Sequence, residues 1–225
     1  MILLDDAHSS SAQPTSRVYD SALQTWCILP SGNASQDQLA VKNCLAEFTA
    51  ALDQGHYLVA VFSYELGKLI HHLPSRSTSH PHPIMQAWSF VDYQKLSKDQ
   101  VDTLITDQLN QLSSDDQIAG VLDVNESIDQ AQFSADIARI QEYIRSGDTY
   151  QINHTYRIAG KTYGSPLALY SRLRERQPGR FGAYLENDKQ FILSQSPELF
   201  IQKTAAILKA MPMKGTANAL SVGAS

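Results

Sequence analysis

The sequence predicts an α+β fold in which short helices are set between mixed, largely antiparallel strands. Three observations carry this expectation. Apolar residues recur at helical spacing in three well-separated stretches, and short apolar or alternating runs of strand length lie between them. No GxGxxG or P-loop segment marks the parallel sheet of a nucleotide-binding fold.

Taken in order, residues 2–4 and 24–29 are short apolar segments that read as strands, with the polar SSSAQPTS loop between them. Residues 37–54 read as an amphipathic helix, because Val41, Leu45, Phe48 and Leu52 fall at i, i+4, i+7 and i+11. Gly55 stops that helix. YLVAVFSY (57–64) is continuously apolar, the pattern of a strand buried on both faces. HHLPSRSTSHPHP (71–83) holds four of the seven histidines. Three prolines and four Ser/Thr residues give those histidines no fixed face, so the segment reads as a loop rather than a zinc site.

Residues 85–97 alternate as a strand, and Val101, Leu104, Ile105, Leu109 and Leu112 make a second helix. The acidic, polar stretch 113–130 is the best place for a boundary, giving regions 1–120 and 126–216. The clearest helix follows, with Phe133, Ile137, Ile140 and Ile144 on one stripe and Gly147 at its end. In YQINHTYRIAG (150–160), alternation predicts a strand whose polar face carries Gln151 and Asn153. Ser165-Pro166 opens another helix with proline at its first position, and that helix ends near Gln177-Pro178. FGAYL (181–185) and FILSQS (191–196) read as strands.

They lead into 196–216, SPELFIQKTAAILKAMPMKGT, where two apolar runs flank a brief interruption and predict a β-hairpin. A turn at Ala205–Ala206 would pair Glu198 with Met213 and bring Glu198 and Lys214 to the open end, Cα atoms within roughly 10 Å. A carboxyl group and an amine beside Gly215-Thr216 form either a surface ion pair at a strand end or a reaction centre.

Composition removes several classes. The net charge is −5, from 18 Lys plus Arg against 23 Asp plus Glu, and no basic helix or aromatic-interleaved basic patch points to nucleic acid. The two cysteines, Cys27 and Cys44, have no CxxC spacing, which suits a reducing cytosol. MILLDDAHSS lacks the order of a signal peptide, and no apolar run approaches the ~18 residues of a membrane span. The expectation is a cytoplasmic chain.

SPELF followed by PMKGT, at this interval, resembles the chorismate-utilising enzymes, and within them most specifically component I of aminodeoxychorismate synthase in the para-aminobenzoate branch of folate synthesis. ILLDDA, SRVY (16–19), FSYELG (62–67), IRSGDTYQINHT (144–155) and SPLALYSRLRERQPGRFGAYL (165–185) match in order. The resemblance implies a four-layer α/β/β/α sandwich, of which this chain would be the N-terminal portion. It implies chorismate as substrate, a glutamine amidotransferase subunit supplying ammonia, and Mg2+ held by ligands outside this chain. The family usually continues PMKGT with Arg-Pro; residues 217–225 (ANALSVGAS) depart from that, so the chain is expected to be inactive alone. In the family, Gln151 and Asn153 lie near the substrate, as do Gly215 and Thr216, while Asp6 stands where an effector-pocket Ser is usual. No tryptophan-binding role is therefore carried over to Asp6.

The resemblance also assigns Lys214 as nucleophile and Glu198 as acid. Both need their rare forms at neutral pH, since a free lysine titrates near 10.4 and a glutamate near 4.3. The ionised pair is favoured in water by about 6 pK units, or about 8 kcal/mol. A closed apolar site would narrow that gap, because it penalises two charges more than two neutral groups. Anthranilate synthases, the nearest relatives, typically have Ala where this chain has Lys214, which favours the aminodeoxychorismate branch over an anthranilate synthase-like enzyme. A truncated non-catalytic product is the remaining alternative.

Overall fold

The computed structural model describes residues 1–73, 82–187 and 190–212. The first elements are β1 (Ile2–Asp5), β2 (Ser16–Tyr19), β3 (Gln24–Ile28), α1 (Ala34–Asp53), β4 (Tyr57–Phe62), α2 (Tyr64–Ile70), β5 (Met85–Phe90), β6 (Gln94–Leu96) and α3 (Lys98–Asn110). Then come β7 (Gly120–Glu126), α4 (Gln130–Ser146), β8 (Ile158–Tyr163), α5 (Pro166–Arg176), β9 (Phe181–Asn187), β10 (Gln190–Ser196), β11 (Leu199–Thr204) and β12 (Ile207–Met211). Every strand pairing among the described residues is antiparallel. The α+β class with antiparallel sheets is thus the fold observed. The chain divides into two compact units, Met1–Thr103 with Gln177–Ser225, and Leu104–Arg176.

In the first unit, α1 begins where Asn33 Oδ1 accepts the Gln36 N–H at 3.1 Å. It stops where Gly55, at φ +83°, turns its N–H back onto the Leu52 carbonyl at 2.9 Å. The buried face is Val41, Cys44, Phe48 and Ala51, packed against Trp26, Leu66, Ile84, Met85 and Ala87. Leu45 and Leu52, expected in that stripe, are exposed. Positions three or four apart share a helix face, and the sheet selects the 41-44-48-51 row.

That sheet has the order β3-β5-β4. Its central strand, β5, is buried at all six positions. Met85 and Ala87 belong to the core beneath α1, whereas Trp88 and Phe90 join Ile2, Tyr19 and Leu185 of a second, five-stranded sheet ordered β10-β9-β1-β2-β6. The unit is therefore layered helix, sheet, sheet. Two expectations change here. β4, the continuously apolar run, is an edge strand with only Val59 buried. The strand expected over 85–97 is two strands, β5 and β6, in different sheets.

In the second unit, β7 and β8 form a two-stranded ribbon with an irregularity between Leu122 and Asn125. β7 lies inside the acidic, polar stretch that the sequence offers as a boundary. α4 is capped by Asp129, whose Oδ1 accepts the Gln132 N–H at 2.7 Å, and it ends at Gly147 in the left-handed region. α5 starts with Pro166 at its first position, while the Ser165 carbonyl and hydroxyl accept the N–H groups of Leu169 and Leu167. Gly164 before it is irreplaceable on two counts: its φ is +72°, and a Cβ there would sit 2.1 Å from the Ile118 carbonyl oxygen. No helix among the described residues is long and apolar enough to cross a membrane.

Candidate functional site

The terminal hairpin turns at Ala205–Ala206, as the sequence implies, with Thr204 opposite Ile207, Lys203 opposite Leu208 and Gln202 opposite Lys209. Towards the open end the register shifts, and Leu199 faces Met211. β11 therefore spends one more residue than β12 between those pairs, the signature of a β-bulge. One step further, Glu198 is level with Pro212 instead of Met213. The sequence-based register missed this because uninterrupted pairing leaves no room for an extra residue. Lys214, Gly215 and Thr216 lie outside the described residues, and so does their distance from Glu198.

Glu198 follows β10 and leads into β11. Its carbonyl accepts the Ser196 hydroxyl at 3.2 Å, and its side chain is exposed. The hairpin beside it is open to solvent: Phe200 is 85% exposed, and Ile207 and Leu208 are 70% exposed. The described part of the hairpin thus does not itself supply the closed apolar setting that a neutral lysine and a protonated glutamate need.

Gln151 and Asn153 fall in a segment without strand pairing, where the sequence predicted a strand; pairing begins only at Ile158. The alternation is real, but a strand also needs a partner ladder. Both side chains are exposed, and Gln151 Nε2 donates to Asn153 Oδ1 at 3.4 Å. The structure brings these two residues together.

The same segment holds a contact that the sequence reading passed over. His154 Nε2 lies 3.1 Å from Asp136 Oδ2 on α4, and Asp136 Oδ1 accepts from Gln132 Nε2 at 2.8 Å. The hydrogen bond from His154, followed by that from Gln132, holds the Asp136 carboxyl below its usual range. Phe133 meets the His154 ring edge-on at 5.4 Å. The signal available in the sequence was a histidine at an apolar phase of the alternation, which calls for a polar partner.

Near the N-terminus, Asp6 is engaged by its own neighbours. Its carboxylate accepts from the His8 N–H at 2.9 Å and the Thr15 hydroxyl at 2.8 Å, and Arg180 Nε lies 3.6 Å away. β1 and β3, the opening pair of strands, belong to different sheets. A cavity of about 230 Å³ at the end of α1 is lined by Leu23, Glu47, Ala51, His56 and Ser89 among others, and by none of the candidate residues. Among the described residues no three His, Cys, Asp or Glu side chains converge. The histidine-rich loop lies largely outside the described residues.

The chain matches the model of the chorismate binding enzyme family over residues 8–221. It belongs to that family. It is 37% identical over 84 residues to aminodeoxychorismate synthase component 1 of Bacillus subtilis, covering 37% of this chain and 18% of the relative. It is 31% identical over 94 residues to the Escherichia coli protein of that name, covering 42% and 21%. Anthranilate synthase component 1 of Saccharolobus solfataricus is 31% identical over 94 residues, covering 41% and 22%. The aligned segments thus span about a fifth of each relative's length.

Proposed function

We propose that this chain is the N-terminal portion of an aminodeoxychorismate synthase component I, an enzyme that aminates chorismate to 4-amino-4-deoxychorismate on the way to para-aminobenzoate. The observation that carries the proposal is Lys214 in PMKGT, sixteen residues after Glu198 of SPELF. The Lys214 amine attacks C2 of chorismate, the ring double bond shifts, and the C4 hydroxyl leaves as water with the Glu198 proton. Ammonia from a glutamine amidotransferase then adds at C4 with the reverse shift and expels the lysine. The net change is ammonia in and water out. Gln151, Asn153, Gly215 and Thr216 contact the substrate, and the enzyme works in the cytoplasm.

The hairpin turn at Ala205–Ala206 supports this reading, because it returns the chain to Pro212 at the same end as Glu198, and Pro212 is two residues before Lys214 in the sequence. The 225-residue chain alone is expected to make no product with ammonia supplied. Chorismate is a dianion, and burying it needs compensating positive charge. Lys214 cannot be both neutral nucleophile and counter-ion. The resemblance places the Mg2+ ligands outside this chain.

The test uses a chimera in which the C-terminal half of the Bacillus subtilis relative completes this chain. Incubated with chorismate and trapped, it should show a covalent adduct by mass spectrometry, and Lys214→Ala should abolish both adduct and product. An undiminished adduct in the variant would remove Lys214 from the mechanism. Release of anthranilate instead of aminodeoxychorismate would favour the second reading, an anthranilate synthase component 1-like enzyme, for which the similarity to the Saccharolobus solfataricus protein speaks.

A further inference from the structure

We propose that Asp136 and His154 form a positioning pair that holds residues 150–157 against α4 and thereby presents Gln151 and Asn153 on the opposite, open side. The proposal rests on the chorismate reading for what Gln151 and Asn153 contact; the pair itself rests on geometry alone.

Residues 150–157 carry two substrate-contact candidates but make no ladder, so their position has to be fixed by side chains. In extended backbone, successive side chains alternate in direction. His154 and Tyr156, two residues apart, both reach Phe133 of α4, at ring separations of 5.4 and 6.2 Å. Asn153, in the opposite phase, bonds to Gln151 at 3.4 Å. At its far end the segment is tied to Ser127, which donates its N–H to the Arg157 carbonyl at 2.8 Å and accepts the Arg157 N–H on its hydroxyl at 2.9 Å. Between these ties, His154 makes a polar contact with α4 through Asp136, at 3.1 Å.

The other ring nitrogen, Nδ1, is buried without a hydrogen-bond partner. That asymmetry selects a tautomer. A proton on Nδ1 would be a buried donor with no acceptor, whereas a proton on Nε2 points at a carboxylate. Asp136 is itself oriented by Gln132 at 2.8 Å, so the carboxylate fixes the ring and the ring fixes the segment. This is how a second-layer carboxylate orients a functional histidine elsewhere, here with a backbone segment as the load.

The experiment is amide hydrogen exchange and imidazole 15N NMR on the whole 225-residue chain. The wild type should show the Nε2-protonated tautomer at His154. Asp136→Ala should mix the tautomers and lower exchange protection at the Arg157 amide, which donates to the Ser127 hydroxyl, by roughly tenfold, the scale of one charge-assisted hydrogen bond. His154→Ala should lower it equally, and the double variant should add nothing further. Asp136→Asn, which keeps an acceptor, should restore part of the protection. Additive losses, or unchanged protection in Asp136→Ala with the rest of α4 intact, would overturn the pair. The chorismate reading is judged separately. In the completed chimera, Asp136→Ala should raise KM for chorismate with the Lys214 adduct still forming. A chimera that does not bind chorismate at all fails that reading, and the exchange data, which involve no ligand, still decide the pair.

Discussion

Helices α1 and α4 carry nearly the same sequence signal and meet different surroundings. Each places apolar residues at the 0, 4, 7 and 11 positions and ends at a left-handed glycine. α1 buries Val41, Cys44, Phe48 and Ala51 against its sheet, whereas α4 has no buried residue, with Phe133 and Ile144 exposed by 39% and 42%. Amphipathic spacing specifies that a helix has an apolar face. It does not specify what covers that face, because the partner comes from elsewhere in the fold. α1 finds β5, a strand whose odd and even residues serve two cores at once, and most of the stability measurable in this chain should reside there.

The sharpest way to break this comparison is a matched pair of truncations. Phe48→Ala should cost about 3–5 kcal/mol, the usual range for a buried phenylalanine. Ile140→Ala on α4 should cost only about 1 kcal/mol, because that side chain is half-buried and not part of a closed core. Urea unfolding followed by circular dichroism measures both. If Ile140→Ala proves as costly as Phe48→Ala, α4 is covered in solution, and the cost should then depend on protein concentration.

A smaller effect tests the polar fastening of the same core. Trp26 is buried and donates its indole N–H to Glu47 Oε2 at 2.6 Å. Glu47→Ala leaves that donor unpaired and should cost about 1–3 kcal/mol, with a shift in tryptophan emission. An unaltered unfolding midpoint would mean that water replaces the carboxylate at no loss.

The second unit should answer through pH. Asp136 is held below its ordinary value of 3.8, chiefly by His154 and then by Gln132. Its contribution is therefore present above that ordinary value and is lost as pH falls through the lowered one. Asp136→Asn should lower stability near neutrality and flatten the acid limb of an unfolding profile taken from about pH 6 down to about pH 2, with little difference left at the acid end. An identical acid limb in the variant would remove Asp136 from the acid response. Least of all, Ala205→Gly should stabilise the terminal hairpin by about 0.5–1 kcal/mol, because Ala205 sits at φ +52° where an L side chain is strained. Slower exchange at the amides of Gln202 and Lys209 would show it.

Much of the fold could be read from local signals. Gly55 and Gly147 end their helices where expected, Pro166 opens α5, and Ala205–Ala206 make the turn, because each depends on the backbone preferences of a few neighbouring residues. The candidate site could be proposed from the sequence only as residue types: Glu198 in SPELF, Lys214 in PMKGT, and the Gln151 and Asn153 alternation. Three features were not legible. Which apolar strand is central was decided by sheet order, which placed MQAWSF between two neighbours and YLVAVF at an edge. Whether YQINHT pairs was decided by the availability of a partner ladder. The open end of the hairpin was re-aimed by one extra residue in β11. Local sequence determines what a segment can do at the scale of a turn, since only its own φ/ψ choices and near neighbours enter. Burial, sheet order and the union of Asp136 with His154, eighteen residues apart, are set by contacts that exist only once the chain has folded.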